Sequence, residues 1–417
     1  MNYGKDDKTP HLARIKGQSH MSQARSISKW YTLISKIILV ASFLGSLQAC
    51  APSLRATDIP TSTEVTGIEI RETPESNTAQ ILPTERSLTE LAPIPLFGTL
   101  VYADHLGIYT FDFSTYESRD LDVENGTSYE DVSVANGVVY FLRAGGKSNT
   151  NDIYGINING NNLDRLTKDE YNDFHHNIAP DGRYLSFETY WEAPYNLYKL
   201  FVMDTDSKNR ILIAENTNNQ YGSILWSPDS KTLIFFENGN QETGDQLFLF
   251  EMETKELKEF DIQISGQITN LTWSPHGGYV VLGLDNISQS GIYLLNIQTN
   301  ELRQLMLTNG SPRNFVWSPD GKKILFELLN PGDYSLQLHM LNMEDGKIVT
   351  IQEDKLEGAH FSYHALWSPD GKYIAYFIDL DRDNWRLKLQ DIETSKSWEL
   401  ELPHAFPNSA IWTDYKR

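Results

Sequence analysis

The chain has 417 residues, 40% hydrophobic and 12% aromatic, with a formal net charge of −21. That length and apolar fraction suit one large or two ordinary domains with ample core. The acidity excludes nucleic acid as a natural partner, because phosphate binding needs clustered Lys and Arg, and the single cysteine, Cys50, excludes an internal disulfide. The charge is uneven. Residues 1–49 hold seven Lys/Arg against Asp6 and Asp7, which leaves 28 basic and 54 acidic residues, a charge of −26, for residues 50–417. Basic partners and metal ions are electrostatically easier for such a body.

From Trp30 to Leu47 the chain is mostly apolar, centred on Ile37-Ile38-Leu39-Val40-Ala41-Ser42-Phe43-Leu44, with Lys29 and Lys36 beside or within the run. The run is short for a membrane span and has the layout of a secretory signal peptide over residues 1–49. Met21 would open a signal of ordinary length and is a candidate initiator. The ending Leu47-Gln48-Ala49-Cys50 resembles the bacterial lipoprotein signal, in which small residues precede a cysteine that becomes lipidated. The resemblance implies lipidation at Cys50, attachment to a membrane and an extracytoplasmic location.

Residues 50–95 are rich in Thr, Ser, Pro and Glu with little periodicity. Such composition cannot bury enough surface to fold, so a disordered linker is expected. As a random coil it reaches about 35–40 Å.

From Leu96 to Arg417 the chain is a tandem array. Trp226-Ser227-Pro228-Asp229-Ser230, Trp273-Ser274-Pro275-His276-Gly277, Trp317-Ser318-Pro319-Asp320-Gly321 and Trp367-Ser368-Pro369-Asp370-Gly371 are the clear copies. Ser133–Gly137 and Ile178–Gly182 are weaker copies, and Trp412-Thr413-Asp414 begins another. Steps between matching positions are 45, 48, 47, 44, 50 and 45 residues. Pro pre-sets a type I turn, Asp follows it, and Gly takes the left-handed conformation that rejoins the strands. Each unit continues through an apolar strand (Thr232–Phe236), a third strand (Gln246–Phe250) and a shorter fourth (Glu256–Phe260), which is one β-propeller blade. The array resembles the TolB-like and WD-like propeller repeats of bacterial envelope proteins. Three strands before the first turn motif and a lone Ala410-Ile411-Trp412 at the end add up to one further blade shared by both termini. The expected fold is therefore an all-β, seven-bladed β-propeller, with six blades as the alternative.

In propellers the first strand of each blade lines the central channel. Three residues before each Trp position stand Glu130, His175, Ser223, Asn270, Asn314, His364 and Ser409, all polar, and a polar ring at one depth suits a small polar ligand, an ion or water. At the same mouth Tyr190, Trp191 and Tyr195 could stack on a sugar or a basic peptide. Asp379, Asp381 and Asp383 alternate as at the start of a calcium loop, although Gln390 stands where the helix-loop-helix version needs a bidentate acid. His175 and His364, helped by His360 or Glu130, form the histidine grouping that could hold a metal. No nucleophile elbow, phosphate loop or zinc-type Cys/His spacing is present, so no catalytic residue is assigned and Ca²⁺ is the one candidate cofactor.

The sequence thus points to a lipid-anchored extracytoplasmic propeller, monomeric, binding an envelope protein or carbohydrate and attached to the membrane through Cys50. The alternative is a metal-assisted polysaccharide lyase or hydrolase working at the channel mouth.

Overall fold

A computed structural model describes residues 96–122, 128–144, 150–191, 197–217, 220–239, 244–260, 266–286, 290–332, 335–354, 364–379, 385–402 and 408–414. Among them are seven four-stranded antiparallel sheets. Blade 1 runs from the inside outward as Ser409–Thr413, Thr99–Ala103, Ile108–Asp112 and Glu117–Asp122. The first strands of blades 2 to 7 are Ser128–Ala135, Asn172–Ile178, Tyr221–Trp226, Gln267–Trp273, Ser311–Trp317 and Leu366–Trp367. Each first strand touches the first strand of the next blade, and Ser409–Thr413 closes the circuit between blades 7 and 2. These strands are therefore the inner wall of a ring. Blade 1 is the clasp: Thr99 pairs with Thr413 and Ala103 with Ser409, so the last strand of the chain is held by the first. Seven blades are present, as the repeat arithmetic requires.

The core is divided among the joints between blades. Among the described residues there are seven apolar clusters, each built from two neighbouring blades. Strand alternation explains this: both faces of a blade are covered by neighbours, so its middle strands read as continuous apolar runs such as Leu233-Ile234-Phe235-Phe236. Each fully buried Leu, Ile or Phe contributes about 1.5–3 kcal/mol relative to exposure.

The repeat motif organises the joints. The indole Nε1 of Trp226 donates to the Asn177 carbonyl at 3.1 Å, that of Trp273 to Leu225 at 3.4 Å, and that of Trp367 to Val316 at 3.0 Å, each on the preceding blade. The serine hydroxyl donates to the aspartate in the same turn, at 2.6 Å for Ser227 and Ser318 and 2.7 Å for Ser368. It also accepts the backbone N–H of the strand that follows, as from Tyr373 at 2.9 Å. Gly371, at φ 70°, takes the left-handed position; Ser230 holds it in blade 4 at φ 62°.

The outer edges are guarded against pairing with other chains. The fourth strands of blades 2, 4 and 7, Asp164–Arg165, Leu257–Phe260 and Ser397–Leu400, are two, four and four residues long. Those of blades 1, 3, 5 and 6 are longer, and each carries a register shift against its neighbour. Short strands and bulges are two standard ways of blunting a sheet edge.

Candidate channel ring and mouth

The polar ring read from the sequence coincides with a break in the inner strands. Pairing with the second strand shifts register between Glu130 and Val132, Phe174 and Asn177, Gly222 and Leu225, Ile268 and Asn270, and Arg313 and Val316. At the breaks of blades 2, 3, 4 and 6 the backbone turns left-handed, with φ 47° at Asp131, 45° at His175, 42° at Ser223 and 54° at Asn314, and His364 of blade 7 has φ 43°. Short polar residues, Asn and Asp above all, tolerate that conformation better than branched apolar ones. At His175, Ser223, Asn314 and His364 the polarity of the ring therefore has a backbone cause before any ligand is invoked.

Blade 2 departs by one residue from the sequence alignment. Its turn is the two-residue Asn136-Gly137, with φ 50° and 75°, where the other blades have the longer motif. The residue at its bulge is Asp131, while Glu130 pairs opposite Leu142 and is exposed.

Several ring side chains tie the wall together. Ser409 Oγ accepts the Val132 N–H at 3.0 Å, joining blades 1 and 2. Asn270 Oδ1 accepts the Phe315 N–H at 3.3 Å, joining blades 5 and 6. Asn314 Nδ2 donates to Glu327 Oε2 at 2.8 Å, and Arg313 lies 3.5 Å from the same oxygen. Ser223 is half-buried at its bulge.

His175 is held differently. Its Nδ1 lies 3.1 Å from Glu188 Oε2, and Glu188 Oε1 accepts the Tyr221 N–H of blade 4 at 3.1 Å. Glu188 is fully buried while the His175 side chain is 49% exposed, so the carboxylate fixes a ring that remains open to solvent. The bond to Glu188 raises the pKa of His175 against the opposing effect of burial, with Asp131 and Glu130 adding to the rise. His364 moves the other way: burial, with Arg313 beside it, lowers it to about 4 and keeps it neutral at physiological pH.

The aromatic residues at the mouth are already engaged. Glu188, Tyr190 and Trp191 belong to the strand Tyr184–Trp191. Trp191 stacks on Tyr171 with centroids 4.2 Å apart and planes 2° from parallel. Lys199 Nζ sits 3.6 Å over the same ring, which sterics place on the opposite face. Tyr190 packs on Tyr198 at 4.7 Å. Trp191 thus offers an edge to a ligand, with both faces covered. Tyr195, Asp381, Asp383, His360 and Cys50 lie outside the described residues, and Asp379 ends the strand Tyr373–Asp379, paired with Trp385. Among the described residues no group of three or more His, Cys, Asp or Glu is placed to hold a metal ion.

Sequence reasoning missed Asp131 and the burial of Glu188 and Glu327. Glu188 and Glu327 occupy one position in blades 3 and 6, where blades 4, 5 and 7 have Phe236, Gly283 and Phe377. A lone carboxylate inside an apolar run, as in Phe326-Glu327-Leu328, is the signal that could have found them.

Comparison with known proteins follows this geometry. Residues 189–402, just over half the chain, match the PD40 family model, described as the TolB beta propeller domain. The Tol-Pal system protein TolB of Francisella tularensis subsp. mediasiatica is 23% identical over 351 aligned residues, covering 72% of this chain and 76% of that protein. Among solved structures, an oligogalacturonate lyase in complex with manganese aligns with TM-score 0.56 at 16% identity, over 66% of this chain and 80% of the other. The Pseudomonas aeruginosa periplasmic gluconolactonase PpgL aligns with TM-score 0.54 at 15% identity, over 76% and 98%. At such identities the structural likenesses speak for the fold alone.

Proposed function

This chain belongs to the TolB β-propeller domain family, and on that premise we propose that it is an extracytoplasmic protein of the bacterial cell envelope whose propeller binds a partner protein. The observation that carries this reading is the use of the channel ring. Ser409, Asn270 and Asn314 are engaged in bonds that hold the wall, and His175 is fixed to Glu188. A channel so used is scaffold, and recognition falls to the mouth loops and the outer surface. Similarity to a Tol-Pal system protein favours a partner within an envelope assembly of that kind. The acidity of residues 50–417 favours a basic surface on that partner.

Residues 1–49 serve as the signal peptide, Cys50 carries the lipid, and residues 51–95 tether the propeller, 96–417, to the membrane. Substituting Cys50→Ser in cells is expected to release the protein from the membrane fraction; unchanged retention after signal cleavage would refute lipidation. The binding reading is tested by cross-linking the full chain in its native envelope. Recovery of one defined envelope protein supports it, and recovery of none, with turnover of acidic oligosaccharides by the purified protein, overturns it in favour of a polysaccharide-degrading enzyme.

A further inference from the structure

Blade 3 carries titratable groups where the other blades carry core. Five residues before the end of its first strand stands Asp173, fully buried, where blades 2, 4, 5 and 6 have Tyr129, Tyr221, Ile268 and Pro312. Two before the end stands His176, 6% exposed, where the others have Val132, Ile224, Leu271, Phe315, Ala365 and Ala410. Both face the joint with blade 2. We propose that the joint between blades 2 and 3 is a proton-sensitive seam, closed while Asp173 is uncharged and loosened when it ionises.

The geometry gives Asp173 no counter-ion. Its Oδ1 accepts from Thr189 Oγ1 at 2.8 Å, and its Oδ2 has no hydrogen-bond partner among the described residues. The guanidinium that acts on it, that of Arg210, is bonded elsewhere, through Nη1 to Asp169 Oδ2 at 2.6 Å. A charge confined there lacks both solvent and a partner, which favours the protonated acid. Burial pushes Asp173 up to about 7; Asp169 adds to the rise, and Thr167, Thr189 and Arg210 oppose it. His176 faces Asp131, the Tyr140 backbone of blade 2 and its neighbour His175, and burial lowers its pKa so that it stays neutral.

The sign is fixed by linkage. Asp173 titrates higher in the folded protein than in an open one, so it stabilises the closed seam at low pH, and that stabilisation is lost as pH rises through about 7. His176 acts in the opposite sense, disfavouring closure as pH falls below the ordinary histidine range. With Asp173 at about 7 in the closed state, it alone would raise the opening constant about tenfold between pH 6 and pH 8, and His176 offsets part of that, leaving a net rise of about two- to threefold.

Hydrogen exchange on the full chain measures this directly. Protection of Asn172–Ile178 and Tyr184–Trp191, corrected for intrinsic exchange chemistry, is compared at pH 6 and 8 with Gln267–Trp273 and Tyr279–Asp285 of blade 5. The expected result is about a two- to threefold greater loss of protection in blade 3 on going from pH 6 to 8, reversed in sign in Asp173→Asn, where only His176 remains. Equal pH slopes in the two blades, or an unchanged slope in Asp173→Asn, would overturn the proposal. Should that variant fail to fold, a carboxyl ¹³C titration of the wild-type chain decides. One aspartate with its midpoint near neutrality supports the seam, and all aspartates titrating in the ordinary acid range refute it.

Discussion

Blades 3 and 5 are built on the same four-stranded plan with opposite chemistry inside. Blade 5 places Ile268, Leu271 and Gly283 where blade 3 places Asp173, His176 and Glu188. The joint of blade 5 with blade 4 is a cluster of Leu, Ile, Val, Phe and Trp side chains, and that of blade 3 with blade 2 has a smaller apolar cluster and two buried ionisable groups, Asp173 and His176. The lesson is that repeat architecture fixes where a side chain goes and leaves open what it must be. A buried polar residue is tolerated when the rest of the ring holds its backbone in place.

Moving one chemistry into the other blade should break the contrast. Leu271, 1% exposed, replaced by His puts an unpaired imidazole into the apolar joint and is expected to lower stability by about 3–5 kcal/mol, measured by urea unfolding. The reverse change, His176→Leu, removes a buried polar ring at a position that is apolar elsewhere. It should raise stability by about 1–3 kcal/mol and make it less sensitive to pH below 6.5, read by the same method across pH.

The ring itself can be graded in the same way. Asn314→Ala deprives buried Glu327 of a donor and is expected to cost about 1–3 kcal/mol. Ser409→Ala leaves the Val132 N–H without its acceptor and should cost about 0.5–1.5 kcal/mol. Glu188→Gln has its clearest effect on titration. The largest contribution holding His175 up is lost, so its NMR midpoint should fall, and an unchanged midpoint would show that Asp131 and Glu130 hold it instead.

The fold was legible because the Trp-Ser-Pro-Asp-Gly phrase does local work that any sequence reader can follow. The turn chemistry, the strand that follows it and the 44–50-residue step all point one way. The clasp was legible too, since three strands at the front and one at the back complete one blade. The ring was only half legible. Its positions could be counted, but polar residues there arise from a left-handed bulge as readily as from a ligand, and sequence spacing does not separate the two. Blade 2 shows the limit of counting: a two-residue turn moved the bulge from Glu130 to Asp131. The packing around Trp191 was not legible for a different reason. Tyr171 and Lys199 come from neighbouring segments to cover Trp191, and no local pattern announces that.

The central claim is that the channel ring is scaffold and that this protein works by binding an envelope partner elsewhere on its surface. The most direct test is capture of the cross-linked partner by the full chain carrying His175→Ala and His364→Ala together. The account predicts capture at the wild-type level, with membrane association unchanged. Loss of capture in a variant that remains folded, or loss of a measurable oligosaccharide-cleaving activity in it, would place function in the channel and contradict the account.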